Sequence, residues 1–136
     1  MILFGADESV AKWVSKGLAG RDDLFDSYKA LGVIANGNLV AGIVYHNYHE
    51  NLLIEMSIFS IDPSWCTRHN LKILFSYPFA QLRLERVQAT CAASNRGVQT
   101  FLERIGFSEE GYHPKAHFDG TDAISYGMLK QNCKWL

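Results

Sequence analysis

Cysteine is scarce in this sequence, and none of the cysteine spacings that build disulfide frameworks or zinc sites is present. Cys66, Cys91 and Cys133 are odd in number and form no C-x-x-C pair, so we expect three reduced thiols and no metal site. No apolar run approaches the roughly 18–20 residues that cross a bilayer. The first residues also lack the basic start of a secretion signal. We therefore expect a cytoplasmic protein that does not engage a membrane.

An excess of charge of one sign is also absent. Thirteen Lys and Arg residues stand against fourteen Asp and Glu residues, for a net charge of −1. Because no basic block supplies a footprint for a phosphate backbone, nucleic acid is not an expected partner. Hydrophobic residues make up 48% of the chain and charged residues 20%, which is typical of a globular protein. The length of 136 residues suits a single domain over 1–136.

Hydrophobic periodicity predicts an alternation of helices and strands. Apolar residues recur at intervals of three and four over 7–19, from Leu71 onward and over 95–105, which favours helices there. One further helical turn is expected at 21–26. After a short apolar run at the start, β-type residues predict strands over 28–35, 39–48, 52–61, 86–92, 107–118 and 123–129. The predicted fold class is α/β (α+β), with a mixed, mostly antiparallel sheet and the order β-α-(α)-β-β-β-α-β-α-β-β.

Three short signals predict local backbone geometry. Asn36 and Gly37 both tolerate positive φ, which a type I′ hairpin demands, so an antiparallel pair is expected around them. Pro78 lies inside the helical pattern that starts at Leu71, and the helix is therefore expected to kink or change near Tyr77. Gly106 follows the third helical pattern and is expected to end that helix as a left-handed cap.

The second half of the chain carries a pattern of motifs in a fixed order. A strand within Leu82–Ala89 is followed by Asn95, then by the helix end Glu103-Arg104-Ile105-Gly106-Phe107, and then by Glu110-Gly111. This order of strand, asparagine, E-x-x-G-F helix end and E-G resembles the Gcn5-related N-acetyltransferases (GNAT), including the ribosomal-protein N-terminal acetyltransferases. The ending from Tyr126 to Leu136 resembles that of small phage- and prophage-encoded members.

The GNAT resemblance covers essentially the whole chain and implies an activity. It implies an acyl-CoA N-acyltransferase-like domain that uses acetyl-CoA and transfers acetyl directly to a primary amine of a small molecule or protein. The first alternative is a catalytically inactive GNAT-fold binding protein, phage-encoded and acting on a partner protein in the host cytoplasm. The second is a structural or assembly factor that binds no cofactor. A homodimer is a further expectation, since the family often dimerises.

The resemblance also implies where the cofactor binds. The family's phosphate-binding turn normally reads Q/R-x-x-G-x-G/A, and here the corresponding residues are Cys66 to Leu71, without either glycine. Because such a turn presents backbone N–H groups and the positive helix end to pyrophosphate, Arg68, His69, Asn70 and Leu71 are the implied cofactor-binding residues. Asn70 is expected to tolerate a positive φ in place of glycine. Asn95 is implied to contact the pantetheine arm, with an ordinary helix cap as the alternative.

Acetyl transfer to an amine needs a proton acceptor, because an amine with a pKa near 10 is mostly protonated at neutral pH. Glu55 is the leading candidate: it lies within an apolar strand and shares a face with Leu53, Ser57 and Phe59. The alternative is a solvent-facing carboxylate.

Other polar side chains are weaker candidates for the site. His46 and His49 are expected near the acceptor, but their spacing in a strand points them to opposite faces, which argues against a joint metal site. The family often places a tyrosine seven residues after the asparagine to protonate the leaving thiolate, and here that position is Leu102. Cys91 is interpreted as core packing rather than as a nucleophile.

Overall fold

The computed structural model describes residues 1–136, and its strands form one seven-stranded sheet in the order β1-β2-β3-β4-β5-β7-β6. Every neighbouring pair is antiparallel except β4 with β5, which is parallel. The strands are β1 Ile2–Leu3, β2 Tyr28–Ala35, β3 Asn38–His49, β4 Leu53–Ser60, β5 Arg86–Ala92, β6 Ser108–His113 and β7 Ala123–Leu129. The predicted mixed, mostly antiparallel sheet is confirmed.

Three α-helices connect these strands, and they have the predicted places in the chain. They are α1 Asp7–Ala19, α2 Arg68–Ser76 and α3 Arg96–Ile105, with short 3₁₀ turns at Pro63–Trp65 and Lys130–Asn132. Two sequence predictions are wrong. Residues 21–26 form bends and no helical turn, and the strand predicted over 107–118 ends at His113. No helix has the length and apolar character that a membrane span requires.

The two faces of the sheet are covered by different helices. Val10 and Val14 of α1 pack against Ala30 and Val44 on one face. On the other face, α2 and α3 contribute to a larger cluster that includes Ile54 and Met56 of β4. Helix α1 lies very close to the sheet, because a Cβ atom added at Gly42 would stand 2.5 Å from Val14 Cγ2.

The α-helical hydrogen-bonding pattern of α2 changes after Ser76 for a structural reason. Helix α2 continues as a π-helix over Tyr77–Gln81, and Pro78 has no N–H to donate to the carbonyl four residues earlier. The buried Tyr45 hydroxyl takes over this role and donates to the Leu74 carbonyl oxygen at 2.7 Å. The predicted break near Tyr77 is confirmed, with a tyrosine from β3 compensating for the proline.

The two predicted glycine turns are also confirmed. Asn36 and Gly37 have φ values of 52° and 80°, and they join β2 to β3 at the Ala35–Asn38 pair. Gly106 has a φ of 112° and its N–H donates to the Glu103 carbonyl, so it ends α3 in the left-handed conformation. Both turns fix the direction in which the following strand enters the sheet.

Candidate functional site

The centre of the sheet opens between its two parallel strands. Strands β4 and β5 pair at only three positions, the last of which joins Glu55 to Gln88. Beyond that pair the strands separate, and their C-terminal parts, Met56–Ser60 and Ala89–Ala92, border an opening that we call the central cleft. Backbone groups on the two facing edges of the cleft have no strand partner, so they are available to a ligand.

The start of helix α2 offers free hydrogen-bond donors. Thr67 caps the helix: its Oγ1 accepts from the Asn70 N–H at 3.1 Å, and its carbonyl accepts from the Leu71 N–H at 2.9 Å. The backbone N–H groups of Arg68 and His69 have no acceptor within the protein. Because both residues are exposed and the helix dipole is positive at this end, the turn suits an anion.

Of the four residues predicted for this turn, two keep free backbone donors and two do not. Asn70 lies inside α2 with a right-handed backbone and is not among the residues of positive φ, so the expectation that it replaces a glycine is wrong. Its side chain instead donates from Nδ2 to the Trp65 carbonyl at 2.7 Å. Leu71 is buried in the core. Arg68 and His69 are therefore the residues that present polar groups outward.

Asn95 stands at the N-cap of helix α3. Its Oδ1 accepts from the Val98 N–H at 3.2 Å, so the structure confirms the alternative of an ordinary helix cap. The side chain is exposed and its amide nitrogen donates no hydrogen bond within the protein. A contact from this nitrogen to a cofactor stays a prediction.

A compact polar cluster lies where the central cleft begins, on the α1 face of the sheet. Ile54 and Met56 face the opposite core, so Glu55 between them projects to the α1 side. Its Oε2 is 3.9 Å from His46 Nε2, and only 16% and 13% of these two side chains are exposed. His46 Nε2 also lies 2.8 Å from Ser57 Oγ. We call Glu55, His46, Ser57 and their neighbour Asn47 the acceptor-side cluster.

Sequence reasoning missed Asn47, because it assumed a regular strand. Asn47 has a φ of 51°, within a register irregularity between His46 and His49. Its Nδ2 donates to Glu55 Oε1 at 2.9 Å, whereas the residue after His46 in an unbroken strand would point to the other face. The only signal in the sequence was the residue type, since asparagine tolerates the left-handed region better than most residues.

Burial sets the protonation state of the histidine in this cluster. It lowers the pKa of His46 below the usual range, and the nearby Glu55 carboxylate opposes this effect without cancelling it. The ring packs against Phe25, with 4.8 Å between ring centroids. The imidazole is therefore neutral at neutral pH. The cluster offers two groups that accept a proton, a carboxylate and a neutral imidazole.

Several other candidates are placed away from this cluster or have structural roles. Cys91 is buried, and burial raises the pKa of its thiol, which agrees with packing rather than nucleophilic chemistry. Leu102 is buried in the main core and His49 is exposed. No group of three or more His, Cys, Asp or Glu side chains is arranged to hold a metal ion.

Comparisons with known proteins were informative at the level of structure. No protein-family model matches this chain, and no curated protein sequence matches it at a significant level. The crystal structure of a probable acetyltransferase shares 28% identity over 80% of this chain and 63% of that chain, with a TM-score of 0.67. A variant of spermidine N-acetyltransferase SpeG from Vibrio cholerae shares 22% identity over 82% of this chain and 69% of that chain (TM-score 0.65). Ribosomal-protein-S5-alanine acetyltransferase from Vibrio fischeri shares 17% identity over 80% of this chain and 64% of that chain (TM-score 0.65).

These likenesses confirm the fold that the sequence motifs predicted. All three structures are of proteins named as acetyltransferases, and they share the architecture described above for this chain. The present chain spans less than two thirds of the probable acetyltransferase, namely 63% of its length.

Proposed function

We propose that this chain, which has the fold of the GNAT superfamily, is an acetyl-CoA-dependent N-acetyltransferase that transfers acetyl directly to a primary amine. One observation carries the proposal: Glu55 is the last residue of β4 that pairs with β5. A carboxylate therefore stands at the mouth of the central cleft, and the chain that leaves β4 at Ser60 enters α2 at Arg68, where the free N–H groups are. We infer that an extended cofactor runs from the cleft to the start of α2.

Cofactor binding is assigned to the start of helix α2 and to the cleft. The N–H groups of Arg68 and His69, together with the Arg68 guanidinium, suit the pyrophosphate of coenzyme A. When bound, acetyl-CoA supplies an acetyl group activated as a thioester. An unpaired N–H on the cleft edge of β4 would donate to the thioester carbonyl oxygen, where negative charge develops during transfer.

Proton removal from the acceptor amine is assigned to Glu55. Asn47 donates a hydrogen bond to one carboxylate oxygen, and the other oxygen lies 3.9 Å from His46. Because 3.9 Å exceeds hydrogen-bond reach, a neutral His46 would take the proton from Glu55 through one bridging water, which would return the carboxylate to its basic form. Leu102 offers no hydroxyl to the leaving sulfur. A thiol with a pKa near 8.5 departs as a thiolate without an acid, so this absence is compatible with turnover.

The acceptor is assigned only as a primary amine of a small molecule or protein. The similar structures include a spermidine N-acetyltransferase and a ribosomal-protein acetyltransferase, and both kinds of amine fit the chemistry of the cluster. The cytoplasmic location, the phage origin, the homodimer and the single-domain organisation stay predictions from the sequence.

Calorimetry with acetyl-CoA, followed by steady-state rates with an amine panel, tests the proposal. Glu55→Gln should lower turnover by about 10²–10⁴-fold while the Kd of acetyl-CoA stays nearly constant. Glu50→Gln is the matched control, because Glu50 is an exposed carboxylate in the β3–β4 turn. Cofactor binding without turnover on any amine would favour the inactive binding protein. Absence of cofactor binding would refute both of these and favour the structural or assembly factor.

A further inference from the structure

A groove runs along helix α2 on the side that faces the β1–β2 edge of the sheet. We call it the α2 groove, and its volume is about 940 Å³, near the upper end of the roughly 300–1,000 Å³ that is typical of small-molecule sites. Leu31 of β2 and Tyr45 of β3, both buried, form its floor. The groove is therefore built on side chains that the close-packed core holds in place.

Helix α2 and the π-helix after it supply one wall of the groove. The residues of this wall follow helical spacing and share one side of the helix: His69, Lys72, Ile73, Ser76, Tyr77 and Ala80. The opposite wall includes Lys29 and Phe4, whose side chain is 63% exposed. Phe4, Ile73 and Tyr77 together give the groove apolar sides, which a ligand would shield from water.

The charged side chains of the groove leave one cation without a partner. Asp7, the only carboxylate in its lining, pairs with Lys29, with 3.9 Å between Oδ2 and Nζ. Lys72 is exposed and takes part in none of the five ion pairs of the structure. Because its ammonium group borders apolar surface, the groove is complementary to a molecule with one negative charge and an apolar body.

We propose that the α2 groove binds an amphipathic organic anion, of which a medium-chain carboxylate is the simplest form. Lys72 binds the carboxylate, while Phe4, Leu31 and Ile73 contact the apolar body. The central cleft lies between β4 and β5, whereas the groove is built on β2, β3 and α2. It is thus a second site, which depends neither on acetyl-CoA binding nor on acetyl transfer.

Two dyes with the same aromatic body test this inference by fluorescence titration. Anilinonaphthalenesulfonate carries one negative charge, and N-phenylnaphthylamine has the same rings without the charge. Both should bind the folded wild type at one site per chain, and decanoate should displace both. Lys72→Gln should weaken binding of the anionic dye about 2- to 5-fold, as expected for one exposed ion pair, and leave the neutral dye unchanged. Lys16→Gln in α1 is the matched control and should leave both dyes unchanged, because Lys16 is likewise exposed and in no ion pair.

Asp7→Asn provides a variant in which binding should become tighter, a result that a folding defect would not mimic. Asp7 pairs with Lys29 in the wild type, so the change frees a second cation at the groove and removes a charge that repels the anion. Affinity for the anionic dye should rise about 2- to 5-fold, and affinity for the neutral dye should stay the same. Ala80→Trp adds a large side chain to the exposed end of the wall and should weaken both dyes by a similar factor.

Four results would overturn the inference. Absence of dye binding, or equal affinity of the wild type and Lys72→Gln for the anionic dye, would remove the anion site. Failure of decanoate to displace the dyes would refute a carboxylate ligand. Full displacement by acetyl-CoA would place the dyes in the cofactor cleft. A wild type that is dimeric in sedimentation and becomes monomeric in Ala80→Arg would show that a second copy of the chain occupies the groove. Failure of acetyl-CoA to bind, with dye binding intact, would refute the proposed function and leave this site standing.

Discussion

The hydroxyl of Tyr45 is expected to stabilise the fold because it completes a hydrogen bond that Pro78 cannot make. Tyr45 is 1% exposed, and its hydroxyl donates to the Leu74 carbonyl at 2.7 Å. Tyr45→Phe keeps the ring and its edge-on contact with Tyr77, whose centroid is 4.8 Å away. The change therefore removes a buried donor from the Leu74 carbonyl, which Pro78, four residues later, cannot serve. An unsatisfied buried group costs roughly 1–3 kcal/mol, and we expect the unfolding free energy to fall by this amount.

Urea denaturation followed by circular dichroism measures this effect, and the chain supplies a matched control. Tyr126 is also fully buried, but its hydroxyl is the one buried side-chain polar atom without a hydrogen-bond partner. Tyr126→Phe makes the same chemical change and should leave the stability unchanged or raise it. Equal losses of unfolding free energy in Tyr45→Phe and Tyr126→Phe would refute the reasoning, because the loss in Tyr45→Phe would then not come from its hydrogen bond.

A double-mutant cycle assigns the effect to the proline. Pro78→Ala restores an N–H that is able to donate to the Leu74 carbonyl. In that background Tyr45→Phe should cost clearly less than in the wild type, with a coupling energy of about 0.5–3 kcal/mol. A coupling of zero would mean that the two groups do not share the carbonyl.

Three further predictions concern stability. Gly106→Ala should lower the unfolding free energy by about 1–2 kcal/mol in urea titration, because Gly106 has a φ of 112°; a gain would mean that α3 continues through this residue. Gly42→Ala should lower the unfolding free energy by about 1–3 kcal/mol, since its Cβ would stand 2.5 Å from Val14 Cγ2. An unchanged midpoint of urea denaturation would show that α1 moves away without cost. Burial lowers the pKa of His46, so the unfolded chain binds more protons as pH falls through the usual histidine value near 6.5. Stability should therefore decrease with acidification more in the wild type than in His46→Gln, and parallel pH profiles would contradict this.

The helices, strands and turns could be predicted from the sequence because the residues that determine them are close together in the chain. The hairpin at Asn36-Gly37, the break at Pro78 and the cap at Gly106 each depend on the φ preferences of one or two residues, and all three are observed. The element order followed from apolar periodicity, which is set by burial on one face. These features need no knowledge of distant contacts.

The details of the candidate site could not be predicted in this way. Asn47 reaches Glu55 only because of an irregularity in β3, and a bulge depends on the pairing of two strands. The lowered pKa of His46 depends on burial in the fold. Trp135 meets Arg68 from a point 67 residues further along the chain, which no sequence window connects.

The missing glycines of the phosphate turn change what the start of α2 offers to an anion. Glycine lets an anion approach the backbone closely, and here His69 and Leu71 stand at the two glycine positions of the family's turn. The Thr67 cap accepts from the Asn70 and Leu71 N–H groups, which leaves the N–H groups of Arg68 and His69 as the free backbone donors. A phosphate held by fewer backbone groups needs more charge from side chains. The exposed Arg68 guanidinium beside these donors is the side chain that, under the proposed function, would supply that charge. It follows that phosphate affinity in this chain should depend more on salt concentration than it would at a glycine-rich turn, because charged side chains at the surface are screened.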